Sequence, residues 1–396
     1  MAGFKTARLV DIAEVKGGKR LPANANLVST PTSHPYIRGR DIRDGKITFD
    51  DPMYVLDDDF EKIRRYTVDS GDVCITIVGN IGDVGITPPN LHRASLTENA
   101  VKLVNLREDF DARFLMYALL TPEAQSQMKL SAAGAAQPKL GIYKVNEINV
   151  PVPPLPVQRR IAGILSAYDE LMENNQRRIR LLEAMARALY REWFVHFRFP
   201  GHEKHPRVAS PLGDIPQDWE VKTVEEIVKR IPVGKKYDQK TVSPTGAVPV
   251  FDQGKTGIIG YHDDEPGVAA SESSPVVVFA NHTCYQRLIH FPFSAIQNVL
   301  PFVPSPSIPR NIYWLHWATN GLVVFNDYKG HWPELAAKTL VVPSADLCQR
   351  FGDFTAPLSR RILKLERAIE TLRRTRDLLL PRLLSGQVEL DPLNGK

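Results

Sequence analysis

From Ile161 onward, side chains of one seam return at alternating steps of four and three: Leu165, Tyr168, Met172, Asn175, Ile179, Leu182, Ala186, Leu189 and Trp193. Asn175 is the single polar member. A spacing of 3.5 residues held over about four heptads predicts a long helix whose seam faces another helix. A second run has the same rhythm: Leu358, Ile362, Leu365, Ile369, Leu372, Arg376, Leu379 and Leu383, with Arg376 as its polar member. A helix of about 35 residues spans roughly 50 Å, too long to be buried inside one small domain. The two helices therefore pack on each other or on a partner. Pairing within one chain gives an antiparallel coiled coil that holds the other parts at a set distance. Pairing between copies gives a dimerisation zipper.

Ahead of each helix the pattern changes. The apolar run 73–78 reads as a buried strand, and the glycines 79, 82 and 85 mark a turn into the next one. Residues 36–42 and 45–47 read as strands around an exposed basic turn, 99–104 as another strand, and 112–120 as an amphipathic helix. The later block follows the same order, with strands at 275–279 and 298–303 and an aromatic helix at 312–320. Both blocks then reach a proline-bounded stretch and a Gln-Arg pair. The first has Leu140, Gly141, the run 149–154, and Gln158-Arg159-Arg160; the second has Trp332-Pro333-Glu334-Leu335, the run 340–343, and Gln349-Arg350. One design thus occurs twice, which predicts an α+β fold of two α/β blocks (1–150 and 201–343) separated by two long antiparallel helical stretches (151–200 and 344–396). The expected molecule is pseudo-two-fold symmetric and suited to reading two separated marks on one extended partner.

Composition changes this picture little. The 396 residues are 43% hydrophobic and 24% charged, ordinary for a globular protein of two domains. No window approaches 18 uninterrupted apolar residues, residues 1–8 lack an apolar signal core, and Cys74, Cys284 and Cys348 show no metal spacing. A cytoplasmic protein is expected. The net charge of +5 is unevenly spread: residues 1–150 hold 19 basic and 19 acidic side chains and 201–343 hold 13 and 14, against 8 and 5 in 151–200 and 10 and 7 in 344–396. Arg177, Arg178, Arg180, Arg373 and Arg374 beside the seam read as solvated. The aromatic group Tyr190, Trp193, Phe194, Phe197 and Phe199 either caps the junction with the second block or forms a subunit interface.

Catalytic motifs are not evident. Gly254-Lys255-Thr256 lacks the upstream glycine of a phosphate loop, since Pro249 stands there, and reads as a turn. Gly79, Gly82 and Gly85 have the wrong spacing for a dinucleotide or methyl-donor loop. Glu220 and Lys222 lack a partner carboxylate, His202 and His205 lack further ligands, and no base-clamping Asn/Asp-Pro-Pro-Tyr/Phe stretch occurs. The chain is read as non-catalytic, binding no metal and no cofactor of its own.

The helical stretches resemble a known family. Glu173-Asn-Asn175, Arg177-Arg-Ile179, Leu181-Leu-Glu-Ala-Met185 and Ala188-Leu-Tyr-Arg-Glu-Trp-Phe194 are similar to the central repeat of type I restriction–modification specificity subunits, and Leu372-Arg-Arg374 with Arg376-Asp-Leu-Leu-Leu-Pro-Arg-Leu-Leu-Ser-Gly386 to their distal repeat. Leu9-Val-Asp-Ile-Ala-Glu14 and Ile215, Pro216, Trp219, Glu220 resemble the openings of target-recognition domains. The resemblance implies a DNA-binding subunit in which each recognition domain reads half of a bipartite target. The helices would set the gap and dock two methyltransferase subunits, usually with two restriction and translocase subunits. S-adenosylmethionine, ATP and Mg would be bound by those partners. A coiled-coil adaptor without DNA readout, or a nuclease or methyltransferase, are the competing readings.

On that reading, phosphate contacts supply affinity and a few side chains reach base edges in the major groove, with half-sites about one helical turn apart. The candidates in the first block are Lys19, Arg20, Arg38, Arg40, Arg43, Asn80, Arg93, Gln137 and Lys139. In the second they are Lys235, Lys236, Gln253, Lys255, His282, Gln286, Arg287, Tyr328, Lys329 and His331.

Overall fold

Two helices of 36 and 40 residues, Leu155–Tyr190 and Ala345–Leu384, organise the chain. The computed structural model describes residues 4–132, 138–254, 257–327 and 329–388. These fall into two units, one of Met1–Glu173 with Ile369–Lys396 and one of Asn174–Ala368, so each long helix contributes one segment to each unit.

In the first unit a six-stranded sheet has the order Glu14–Gly17, Ala100–Val104, Val73–Thr76, Val84–Ile86, Gly45–Ile47, Ile42–Arg43. Its first four strands pair antiparallel, and Val84–Ile86 runs parallel to Gly45–Ile47. All four residues of Val73–Thr76 are buried, as a continuous apolar strand at the centre of a sheet should be. Strand Thr6–Arg8 pairs antiparallel with Asn149–Pro151 and closes the block just before the long helix. Helix Ala112–Leu119 starts where the Asp111 carboxylate accepts the Phe114 N–H (3.0 Å), an N-cap that satisfies one orphan donor. Six consecutive residues of it, Phe114 to Leu119, are buried in one core with Ile161, Ala162 and Leu165 of the first long helix and Leu380, Leu383 and Leu384 of the second.

Gln158 locks this junction. Wholly buried, its amide oxygen accepts the Asp111 N–H (2.9 Å) while its NH2 donates to the carbonyls of Asp109 (2.9 Å) and Pro153 (2.8 Å). Gln158→Ala removes the side-chain partner of three backbone groups, one of them buried, and is expected to destabilise the first unit by about 1–2 kcal/mol, read as a shift of the urea midpoint. A change below about 0.5 kcal/mol would show that water replaces the amide without cost.

The second unit repeats the plan for four strands of the sheet. Val228–Arg230, Val299–Pro304, Val276–Ala280 and Gln286–Ile289 form a four-stranded antiparallel sheet in the order taken by the first four strands of the other unit. Glu220–Thr223 pairs antiparallel with Thr339–Val342 ahead of the second long helix, as Thr6–Arg8 does with Asn149–Pro151. Helix Ile312–Thr319 is capped by Asn311, whose side chain accepts the Tyr313 N–H (2.9 Å) and donates to Gln349 (3.1 Å), the counterpart of Gln158.

Both units hold a segment of the antiparallel helix pair. In the first, Arg376 donates to Asp169 across the seam (2.5 Å), and the Tyr117 hydroxyl of the sheet-packed helix donates to the same carboxylate (2.5 Å). Burial, and behind it the bond to Asp169, raises the Tyr117 pKa, so the hydroxyl stays protonated. In the second unit Asn175, Ile179 and Ala186 are buried along the seam, and Tyr190 meets Phe351 edge-on at 6.1 Å. The pairing is therefore within the chain.

Two local features depart from the heptad reading. The second long helix starts at Ala345 and continues through Pro357, well before the seam begins at Leu358. At the end of the first, residues Arg191–Val195 form a π-turn. The extra residue in that turn lets adjacent Trp193 and Phe194 both face inward, where a regular α-helix turns neighbours apart by about 100°.

Candidate nucleic-acid interface

At one end of the first sheet, the turn between Val73–Thr76 and Val84–Ile86 is the centre of a loop cluster. Ile77 donates to the Asn99 carbonyl (2.8 Å) and accepts from Leu140 (2.9 Å), while Val78 bridges to Lys139. Exposed Asn80 and exposed Lys139 are thereby brought onto neighbouring loops. Gly18 donates to Ala100 (3.0 Å) and Lys19 to Leu96 (2.9 Å). A Cβ at Gly18 would lie 2.1 Å from the Thr97 carbonyl oxygen, so glycine is what permits the loop bearing Lys19 and Arg20 to approach this closely. A Cβ at Gly39 would touch Thr76 and Asn99 at 3.8 and 4.0 Å, which sets Arg40 at the same end.

The cations here are loosely paired. Arg20 donates to Glu98 (2.8 Å), Arg40 pairs with Asp51, and Arg43 stands 3.9 Å from Asp83, all three arginines being more than half exposed. Exposed pairs of this kind contribute about 0–1 kcal/mol, so these guanidinium groups are not committed to their carboxylates.

The second unit builds the equivalent cluster with the same bonds. Asn281, at the turn after Val276–Ala280, donates to Asn298 (2.9 Å) and accepts from His331 (2.8 Å), matching the roles of Ile77. Its side-chain oxygen accepts the Trp332 N–H (2.7 Å). Gln253 joins through its side chain, which accepts the His282 N–H (2.8 Å), and its carbonyl, which accepts the Thr283 hydroxyl (2.6 Å). Lys236 bridges to Ala295, whose strand pairs with Val248–Phe251, and Lys329 is exposed next to the His331 contact. Lys235 is held by Asp264 (2.8 Å) and lies over the Tyr237 ring; the bond to Asp264 raises its pKa.

Several expected contacts have structural roles instead. Arg38 is mostly buried and forks onto Asp41 (2.9 Å from both Nε and Nη2), with Asp51 at 3.2 Å, as the brace of the short turn Gly39–Asp41. Arg93 is exposed, and its backbone N–H donates to the Val68 carbonyl (2.7 Å). Gln286 points inward: its NH2 donates to the His316 carbonyl (2.7 Å) and faces His316 Nδ1 at 3.2 Å. Burial, and after it His290 and Arg187, pushes His316 down to about 4, so the ring is neutral near pH 7 and can accept. His331 is wholly buried, with Nε2 donating to the Asp327 carbonyl (3.1 Å). Arg287 donates to the Gly254 carbonyl (2.6 Å) and lies over Tyr285 at 4.7 Å. Gln137, Lys255 and Tyr328 lie outside the described residues.

The aromatic group is likewise internal. Trp193 and Phe194 are buried in the core of the second unit; Phe194 lies against Trp219, Trp314 and Phe351, and Phe197 packs edge-on to Trp219 at 5.4 Å. Tyr190 and Phe197 line the same core. These four residues cap the junction with the second block rather than offering a subunit interface. Sequence reading missed Asn281, Asn298 and Asn99 as framing residues. The signal was an asparagine at the strand-to-turn boundary in the later block and one ahead of the last sheet strand in each.

Among the described residues, no group of three or more His, Cys, Asp or Glu side chains is placed to hold a metal, and no helix is long and apolar enough to cross a membrane.

Comparison with known proteins gives a consistent answer. The model of the type I restriction modification DNA specificity domain matches residues 1–184. The type I restriction enzyme MjaIX specificity subunit of Methanocaldococcus jannaschii is 22% identical over 353 residues, covering 82% of this chain and 79% of that protein. The EcoR124I/EcoR124II specificity subunit of Escherichia coli is 26% identical over 135 residues, covering 30% and 33%. The crystal structure of the type I restriction–modification S subunit from M. genitalium shares the fold, with a TM-score of 0.58 at 16% identity over 97% of this chain and 96% of that one. With its sheet plan built twice and each copy joined to a long helix of an antiparallel pair, the chain is similar to type I restriction–modification specificity subunits, and its residues 1–184 match their DNA specificity domain.

Proposed function

We propose that the two loop clusters each read one half of a bipartite DNA target and that the helix pair sets the gap between the halves. The observation that carries this reading is the repeated frame: the same three loops, tied by the same backbone bonds, end the same four-stranded arrangement in both units, while the side chains on the loops differ. A shared scaffold with divergent loops suits two readers of different sequences. The chain acts as the non-catalytic member of a complex. It works with methyltransferase subunits docked along the helices and with restriction subunits, and those partners supply the S-adenosylmethionine, ATP and Mg chemistry.

In the first reader, Arg40 and Lys139 are the cations assigned to phosphates, with Asn80 on the neighbouring turn for a base edge. Replacing both cations by alanine is expected to weaken binding at the first half-site about tenfold at 0.15 M salt and to lower the salt slope by about 2. Base preference at the second half-site should be unchanged. Binding selection from a randomised duplex pool checks this, and equal loss at both half-sites would refute the assignment.

A further inference from the structure

We propose that Phe325, with Val324 beside it, is a specificity-determining contact of the second reader and meets the 5-methyl group of a thymine in the major groove; the proposal rests on the DNA-reading assignment above. Phe325 and Val324 are 57% and 77% exposed, whereas Val323 just before them is buried in the core. Scattered exposed apolar side chains are ordinary, so position must carry the argument.

The Phe325 ring lies edge-on to the His331 imidazole, with centroids 6.2 Å apart. His331 is wholly buried and bound to the Asp327 carbonyl (3.1 Å), while its backbone N–H donates to Asn281 (2.8 Å). These contacts brace the segment that bears Phe325 against the turn at Asn281. They account for a fully buried histidine in a surface loop, and they present the phenyl group at the loop cluster on a fixed backbone.

The surroundings select the ligand. Along the loop stand Asn326, Asp327 and exposed Lys329, and Gln253 and Thr283 lie on the adjoining turns. Protein interfaces keep charge away from their apolar centre, whereas a major groove offers polar base edges and phosphates with a single apolar group, the thymine methyl. One apolar prong among amide, hydroxyl and cationic groups matches the groove.

The test uses the full chain and the duplex it selects, with each thymine of the second half-site replaced in turn by deoxyuridine, which removes only the methyl. The wild type is expected to lose about three- to tenfold in affinity at one or two of these positions. Phe325→Ala should be insensitive to the same replacement, Phe325→Leu should retain most of the effect, and all three proteins should read the first half-site alike, which controls for folding. The contact is overturned if the alanine variant shows the wild-type ratio at every thymine, if wild type binds specifically yet ignores the methyl, or if the second half-site contains no thymine. A wild-type chain that selects no duplex overturns the DNA-reading assignment itself.

Discussion

Arg376→Ala is expected to destabilise the first unit by about 3–5 kcal/mol. Arg376 is the single polar residue of its seam, and its guanidinium bonds to Asp169 at 2.5 Å with both side chains less than a fifth exposed. Truncating it leaves a carboxylate with the Tyr117 hydroxyl (2.5 Å) as its chief remaining donor, and the Asp377 side chain loses a partner at 2.7 Å. The penalty is that of an uncompensated buried charge, and it exceeds the net worth of the pair. Replacing Asp169 and Arg376 together by leucine should therefore recover most of the loss, since no charge then remains in the seam. Urea denaturation of the single and double variants measures both. A loss under 1 kcal/mol for Arg376→Ala would mean that water reaches Asp169, and the seam pair would not be a lock.

The second large effect concerns spacing. One heptad inserted into each long helix, after Glu173 in the first and after Ala368 in the second, preserves the seam and lengthens the pair by about 10 Å at 1.5 Å per residue. If the pair is the ruler, the gap between the two recognised half-sites should grow by about 3 base pairs, at roughly 3.4 Å each, with the half-site sequences unchanged. Sequencing of the methylated sites in cells expressing the variant with its partner subunits reads the gap directly. A gap of the original length would show that the helices do not set it.

The heptads around Leu165 and Leu365, the central strand at Val73 and the twofold recurrence of strand, turn, helix and proline run were legible in the sequence. So were the antiparallel option for the helix pair and the exposed cations Lys19, Arg20, Arg40 and Lys139. Such features are local: a period of 3.5 or a continuous apolar run has one low-energy solution whatever surrounds it. Arg38 and Arg40 show the limit. Two residues apart and chemically identical, one is clasped by Asp41 while the other is exposed. Gln286 and Arg287 are both bonded within the unit but toward different partners, His316 and Gly254, because neighbouring side chains of a strand point to opposite faces.

The sequence by itself determined the repeated plan, the long heptad helices and the family resemblance. Only the tertiary structure decided that Gln158 and Gln349 are latches, that Arg376 answers Asp169, that His331 is a buried brace, and that the aromatic group at Trp193 is core. Each of these roles depends on a partner far along the chain, up to 207 residues away for Arg376 and Asp169. Burial and pairing are properties of the folded neighbourhood, and no spacing within one segment encodes them.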